Sequence, residues 1–391
     1  MKILLLAPHP FFQARGTPLA EKMMLEFLSA RGHEVDLLTY HEGADVDIPN
    51  CKIHRIIQVP GVRNIRPGFS MKKVVCDVVM FEKCLRMVRR TRYDLIHAVE
   101  ESAFIAAFVR ALTGVPYVYD MDSSLAEQMI EAYPMLNFAF PALRRAEALA
   151  VRQSLGVLTV CAALEDVAND LAPGKPIGRV EDTTLLTSTP FGRNGTVLPE
   201  EVTEGPMAMY VGNLERYQGI DLLLEGFRHT LHHLPDAQLV IVGGRKDDIL
   251  RYRDRAVSLG IQPAVHFIGP RPVALLADLL READVLVSPR LKGLNTPMKI
   301  YSYLDSGTAV LATRLRTHTQ VLHDDIALLV EPEPEALGRG LADLLGNAPL
   351  RERLGRRAKE FVQQEFTPEA AWRKLDAFYT KMEARIAETK S

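Results

Sequence analysis

Four stretches of the chain hold residue types able to do chemistry. The first is Gly293–Gly307, GLNTPMKIYSYLDSG. Asn295 or Thr296 is placed to cap a helix, Pro297 to open it, and Lys299 to lie in its first turn. Free amides and an ammonium group at a helix N-terminus suit a diphosphate. The spacing is not that of a Walker P-loop, which argues against a nucleoside triphosphatase. Read as structure alone, the same residues make a capped helix with a surface lysine. The second stretch follows an apolar opening run and contains Gly16-Thr17-Pro18. Thr17 reads as an N-cap and Pro18 as part of the first helical turn, with Gly16 letting backbone approach an anion. It is not G-x-G-x-x-G, so a nicotinamide enzyme loses its main support.

The third stretch is Asp120-Met121-Asp122, a D-x-D at the end of the strand-like run Tyr117–Asp120. Two carboxylates could hold a divalent metal, and one alone could orient or deprotonate a hydroxyl. The structural alternative is that Asp122 or Ser123 caps the next helix. In the neighbouring segment DLIHAVEE, His97 falls inside a strand and reads as a packed histidine, while Glu100 and Glu101 follow the strand. His33 sits between a helix and a strand and reads as structural. The fourth stretch is Gly61–Tyr93, with nine Lys/Arg against two Asp/Glu and a broad apolar face that includes Met71, Val75, Val78 and Phe81. A basic amphipathic helix of this kind can dock on anionic lipid; a solvated basic face is the structural alternative. Met129–Phe140 is apolar and loop-like, and could extend that surface or receive a hydrophobic acceptor.

Short apolar runs alternating with helix-period stretches must position these residues. In the first half the expected strands are Lys2–Ala7, Val35–Thr39, Asp94–Ala98, Tyr117–Asp120 and Val157–Val160. The second half repeats the pattern from Met207 onward. Such alternation predicts parallel sheets covered on both faces, α/β in class, as two tandem doubly wound Rossmann-like domains. The expected bounds are 1–186 for an acceptor-side domain, 187–206 for a linker and 207–366 for a donor-binding domain. Residues 367–391 are expected to form a terminal helix that crosses back to the first domain. Ligands are expected at the carboxyl ends of the strands, in a cleft between the domains.

Composition sets the outer limits. The 391 residues are 47% hydrophobic and 25% charged, with a net charge of −2. This is an ordinary globular composition, and no nucleic-acid partner is expected. The four cysteines have no C-x-x-C spacing, so no zinc ribbon or disulfide framework is expected. The opening apolar run is too short for a signal peptide, and no stretch is long enough to span a bilayer. The expected location is the cytoplasm, with peripheral attachment to the inner face of the cell membrane through 61–93.

In order and spacing, the segments RGTPLAEKMMLEFLSARGHEV, YDLIHAVEESA, VPYVYDMD, YVGNLERYQGIDLLLEGF, AQLVIVGG, VHFIGP, READVLVSP and TPMKIYSYLDSGTAVLAT resemble the retaining glycosyltransferases of family 4, of GT-B fold. The NTP-x-K-I-Y form resembles a subgroup variant. The resemblance implies a nucleoside-diphosphate-sugar donor held by the second domain, an acceptor held by the first, and transfer with retention and no obligatory metal. Carried over, Gly16 and Thr17 approach the donor phosphates. Asn213, Arg216 and Gln218 lie in the loop that holds a phosphate-binding arginine–lysine pair. Gly243 binds the donor, and the Phe267–Pro270 segment, with Gly269, lies near the base. Asn295, Thr296, Met298 and Lys299 clasp the diphosphate, and Ser302 faces the ribose. Lys299, Arg216 and Asp122 take the catalytic roles, with Asp122 on the acceptor side.

Three departures accompany the resemblance. Leu294 and Ser302 stand where the family often has two glutamates. Asn213 and Gln218 stand where it has arginine and lysine, and Asp122 where many members have histidine. Metal-dependent GT-A transferases also use D-x-D but have one α/β domain, so no cofactor is expected, with Mg the candidate if Asp120 and Asp122 bind one. The reading is a hexosyltransferase acting on a lipid-linked or polysaccharide acceptor in envelope or exopolysaccharide synthesis. Its alternatives are a non-catalytic or weakly active GT-B protein that binds nucleotide or a partner, and a nucleotide-sugar epimerase or hydrolase.

Overall fold

The computed structural model describes residues 1–13, 16–65, 70–186, 198–199, 202 and 205–390. It divides into two compact units, Met1–Glu181 with Trp372–Ser391, and Asp182–Ala371. Most of the expected linker 187–206 lies outside the described residues, as do Arg15 and 66–69.

The first unit holds strands β1 (Lys2–Ala7), β2 (Glu34–Thr39), β3 (Cys51–Arg55), β4 (Leu95–Val99), β5 (Tyr117–Met121), β6 (Gly156–Thr159) and β7 (Ile177–Arg179). They form one sheet in the order β3-β2-β1-β4-β5-β6-β7, with every pairing parallel. The helices are α1 (Gly16–Ala30), α2 (Met71–Arg90), α3 (Ser102–Thr113), α4 (Leu125–Ala132), α5 (Phe140–Gln153) and α6 (Ala162–Leu171). Parallel strands covered on both faces need apolar side chains at nearly every position, and β1 has them: Ile3 through Ala7 are fully buried. One core joins α2, α3, α5 and α6 to the sheet through Cys76, Met80, Ala106, Val109, Val151 and Leu171.

The second unit has β8 (Met207–Val211), β9 (Gln238–Val242), β10 (Val265–Gly269), β11 (Val285–Ser288), β12 (Ala309–Thr313) and β13 (Leu328–Val330). Its sheet is again all parallel, in the order β10-β9-β8-β11-β12-β13. Its helices are α7 (Ile220–His233), α8 (Lys246–Ser258), α9 (Leu276–Arg281), α10 (Lys299–Ser306), α11 (Arg316–Thr319), α12 (Pro334–Gly346) and α13 (Ala348–Glu365). The final helix, α14 (Pro368–Lys390), belongs to the first unit from Trp372 onward. There Phe378 packs on Gly156 and Gly178, Tyr379 bonds His97, and Arg31 pairs with Glu383 and Asp376.

Several elements differ from the expectations. Strands β3 and β7 were not expected; each is short and half-exposed, so neither carries a buried apolar run. The stretch Met129–Phe140 is no loop: α4 covers 125–132 and a 3-10 turn covers Pro134–Ala139. Ser124, neither Asp122 nor Ser123, caps α4, accepting from the Glu127 amide at 3.3 Å. Helix α1 begins at Gly16, which puts Thr17 in its first turn, and Gly16 has φ +36°. Cys76, Cys84 and Cys161 are buried and Cys51 is half-buried, and none of the four is in a disulfide.

Candidate active site

In the second unit, β8, β9 and β10 end side by side on Gly212, Gly243 and Gly269. The Gly212 amide donates to Val242 O and the Gly243 amide to Gly269 O, at 3.0 and 2.9 Å. Gly212 has φ +152°, and a Cβ there would lie 2.7 Å from Lys299 Nζ. The missing side chain is what admits the ammonium group. Lys299 opens α10 and reaches back to these strand ends. Its Nζ donates to Gln218 Oε1 at 3.2 Å and lies 3.8 Å from the centre of the Tyr210 ring. A cation over an aromatic face is attracted, but far less than by a carboxylate. Among the described residues no carboxylate comes within ion-pair distance of it. Burial, and after it the Arg290 guanidinium, hold the Lys299 ammonium well below the ordinary lysine range.

Arg290 is buried and follows β11 in the run VLVSPR. Its Nε donates to Lys292 O at 2.6 Å and a terminal nitrogen to Asn295 Oδ1 at 3.1 Å, and the guanidinium lies 5.2 Å from the Tyr217 ring centre. Gly293 again makes room, since a Cβ there would strike Arg290 at 2.2 Å. The amides of Gly293, Asn295 and Thr296 find no protein acceptor among the described residues. The buried Thr296 hydroxyl has no partner either. Two cations, unpartnered amides and a free hydroxyl thus share one loop, an arrangement that suits an anion.

The expected helix start at Pro297 falls at Lys299 instead, with Met298 at the N-cap in helical conformation. Neither Asn295 nor Thr296 caps it. Asn295 spends its carbonyl oxygen on Arg290, and the Thr296 oxygen is unbonded.

In the first unit the strand-end charges are paired. Lys73 of α2 is buried against Glu101 and lies 3.7 Å from Glu100. Burial lowers its pKa, but Glu100 and Glu101 outweigh that and raise it. Asp77 accepts from Tyr40 Oη at 2.5 Å, and burial pushes its carboxyl up to about 7. His9, just past β1, meets buried Glu21 at 2.5 Å. Burial acts against the His9 cation, yet Glu21 raises its pKa. His97 is fully buried, between Asp120 at 2.9 Å and Tyr379 at 2.6 Å.

Two family models match consecutive parts of the chain: Glycosyl transferase 4-like domain over 22–175, and Glycosyl transferases group 1 over 199–361. The chain belongs to the group 1 glycosyltransferases. The D-inositol 3-phosphate glycosyltransferase of Corynebacterium diphtheriae is 25% identical over 383 residues, covering 90% of this chain and 86% of that one. The phosphatidyl-myo-inositol mannosyltransferase of Mycolicibacterium smegmatis is 24% identical over 374 residues, covering 93% and 90%. Among solved structures, sucrose-phosphate synthase from Thermosynechococcus elongatus superposes with a TM-score of 0.78 at 20% identity, over 98% of this chain and 99% of that one. The HepE protein of Anabaena, solved with UDP-glucose, gives 0.69 at 16%, over 100% and 99%. These establish the GT-B fold.

Within this glycosyltransferase the expected site residues separate into groups. Lys299, Gln218, Asn295 and Thr296 gather at the second unit's strand ends, with Gly243 and Gly269 close by. Asn213 is exposed beside them; its carbonyl accepts from Tyr210 Oη at 2.6 Å. Arg216 is exposed on a 3-10 turn, with no side-chain hydrogen bond among the described residues. The Phe267 ring belongs to the hydrophobic core, which leaves only the backbone of that residue for a ligand. Ser302 is buried and accepts from the Leu185 amide at 2.9 Å. Gly16, Thr17 and Asp122 lie in the first unit, where Asp120 is engaged by His97. Arg290 and Tyr210 were not anticipated. The signal for Arg290 was its place directly after a strand and before a glycine loop; Tyr210 carried none, because it lies inside an apolar strand.

Proposed function

We propose that this group 1 glycosyltransferase moves a hexose, with retention of configuration, from a nucleoside-diphosphate sugar to a lipid-linked or saccharide acceptor. The observation that carries this reading is Lys299: a half-buried cation with no carboxylate partner among the described residues, beside Arg290 and the unpartnered amides of Gly293, Asn295 and Thr296. Departure of the sugar leaves negative charge growing on the diphosphate. Fixed cations and amides stabilise that charge without reorganising. The mannosyl and inositol-phosphate chemistry in the relatives' names supports a hexose and a phosphorylated or lipid acceptor.

Transfer without an obligatory metal belongs to the same proposal. Asp120 already holds His97 through Oδ2 at 2.9 Å, which leaves it one oxygen for a cation shared with Asp122. The supporting case for an acceptor at a membrane is α2, where Met71, Val75 and Val78 are exposed among exposed Lys72, Arg86, Arg89 and Arg90. No helix among the described residues is long and apolar enough to cross a bilayer.

The test is thermal unfolding against UDP-, GDP-, ADP- and TDP-sugars, with magnesium and with chelator. A donor at a hundred times its dissociation constant adds about 2.7 kcal/mol to the unit that binds it. That moves the midpoint by several degrees. The expected result is a shift with one nucleotide, kept in chelator and lost in Lys299→Ala, where affinity falls by about 1.5–3 kcal/mol. No shift with any donor ends the proposal.

A further inference from the structure

The loop between β11 and α10 is held by an unusual set of bonds. Its backbone forms almost no ladder: Leu291 N donates to Tyr217 O, and the next backbone bond is Ile300 N to Pro297 O. Arg290 Nε takes Lys292 O, and three further carbonyls of 290–295 are taken by side chains from one short segment of the same unit, Thr313–Gln320. Thr313 Oγ1 donates to Arg290 O at 2.6 Å, Thr317 Oγ1 to Asn295 O at 2.7 Å, and Gln320 Nε2 to Leu294 O at 2.8 Å.

His318 organises the segment. It is fully buried, donates from Nδ1 to Thr313 O at 2.9 Å, and accepts at Nε2 from Ser288 Oγ at 2.9 Å. Ser288 is the last residue of β11, so one neutral imidazole ties the start of the loop to the segment that braces it. Every donor in the brace points at a carbonyl of the loop that carries the unpartnered amides of Gly293, Asn295 and Thr296.

We infer that Thr313, Thr317 and Gln320, set by His318, are positioning residues that hold the 290–296 loop in its anion-binding shape. None of them touches the ligand in this scheme. Their effect passes through the loop, and a misplacement of about 1 Å at such a site is costly. The inference rests on the donor reading of that loop.

The test uses the full chain with Thr317→Val, which keeps volume and deletes the hydroxyl, and Thr317→Ser, which restores it. Backbone amide resonances and their relaxation over 290–296 read the brace; titration with UDP, GDP, ADP and TDP reads the site. Thr317→Val is expected to shift and broaden the loop resonances and weaken diphosphate binding by about tenfold, with both restored in Thr317→Ser. Should Thr317→Val fail to fold, the half-exposed Gln320→Ala gives the same reading. Wild-type protein that binds a probe while both variants keep its loop resonances and its affinity overturns the positioning role alone. Wild-type protein that binds none of the four probes overturns the donor reading, and this role with it.

Discussion

The two units build the same kind of sheet and treat charge at its strand ends in opposite ways. In the first, buried Lys73 has Glu100 and Glu101, His9 has Glu21, and His97 has Asp120. In the second, Lys299 has an amide oxygen and an aromatic face. A buried cation with its counter-charge in place serves the fold. One without it costs stability until an anion arrives from outside. Under the proposed function, the second unit is the side where a charged ligand completes the structure.

The largest expected effect breaks the paired side. Lys73→Met leaves Glu100 and Glu101 together without their cation. It should cost the first unit about 3–5 kcal/mol in chemical denaturation. A loss below 1 kcal/mol would mean that the pairing does not carry this face of the fold. Next comes His318, whose pKa burial lowers to about 4. The unfolded chain binds a proton near pH 6.5 that the native unit refuses. Its contribution is therefore full above that pH, declines as pH falls, and is gone near pH 4. The span amounts to roughly 3 kcal/mol. Denaturation curves from pH 7 to 4 should show this slope flattened in His318→Gln.

A smaller effect sharpens the contrast by its sign. Lys299→Met removes an unpaired cation and should raise the ligand-free midpoint by a few degrees, the reverse of Lys73→Met. Because burial holds the Lys299 pKa down and a diphosphate would raise it, binding should also take up protons at any pH where the free lysine is partly neutral. Titrations in buffers of different ionisation enthalpy would detect that uptake. The smallest effect concerns the surface of α2. Neutralising Lys72, Arg89 and Arg90 should weaken binding to phosphatidylserine-containing vesicles at low salt, by about 1 kcal/mol per charge. Wild-type protein that ignores such vesicles removes the membrane from the proposal.

Most of the architecture was legible because parallel strands buried on both faces must be apolar runs. Helix α2, Met71–Arg90, falls inside the stretch Gly61–Tyr93 expected to hold a basic amphipathic helix, where the apolar stripe and basic face are unbroken. The edge strand β3, CKIHR, was illegible because half of it faces solvent. Helix α4 was legible in principle: Ser124 and Glu127 form an S-x-x-E capping pattern that the apolar run after it obscured. In the site, Lys299 stood out by its place at a helix start. Thr317 and Gln320 did not, because their work is done across more than twenty residues of chain, on carbonyls that have no sequence signature.

The last helix has a consequence for synthesis. Phe378 fills the space left by Gly156 and Gly178, and Tyr379 closes over His97. These residues are translated only after the whole second unit. A nascent first unit therefore emerges from the ribosome with an uncovered apolar seam along β6 and β7, and keeps it while about 190 further residues are made. A chaperone that binds exposed apolar strands has its longest opportunity there, and a chain stopped before Trp372 would never lose that seam.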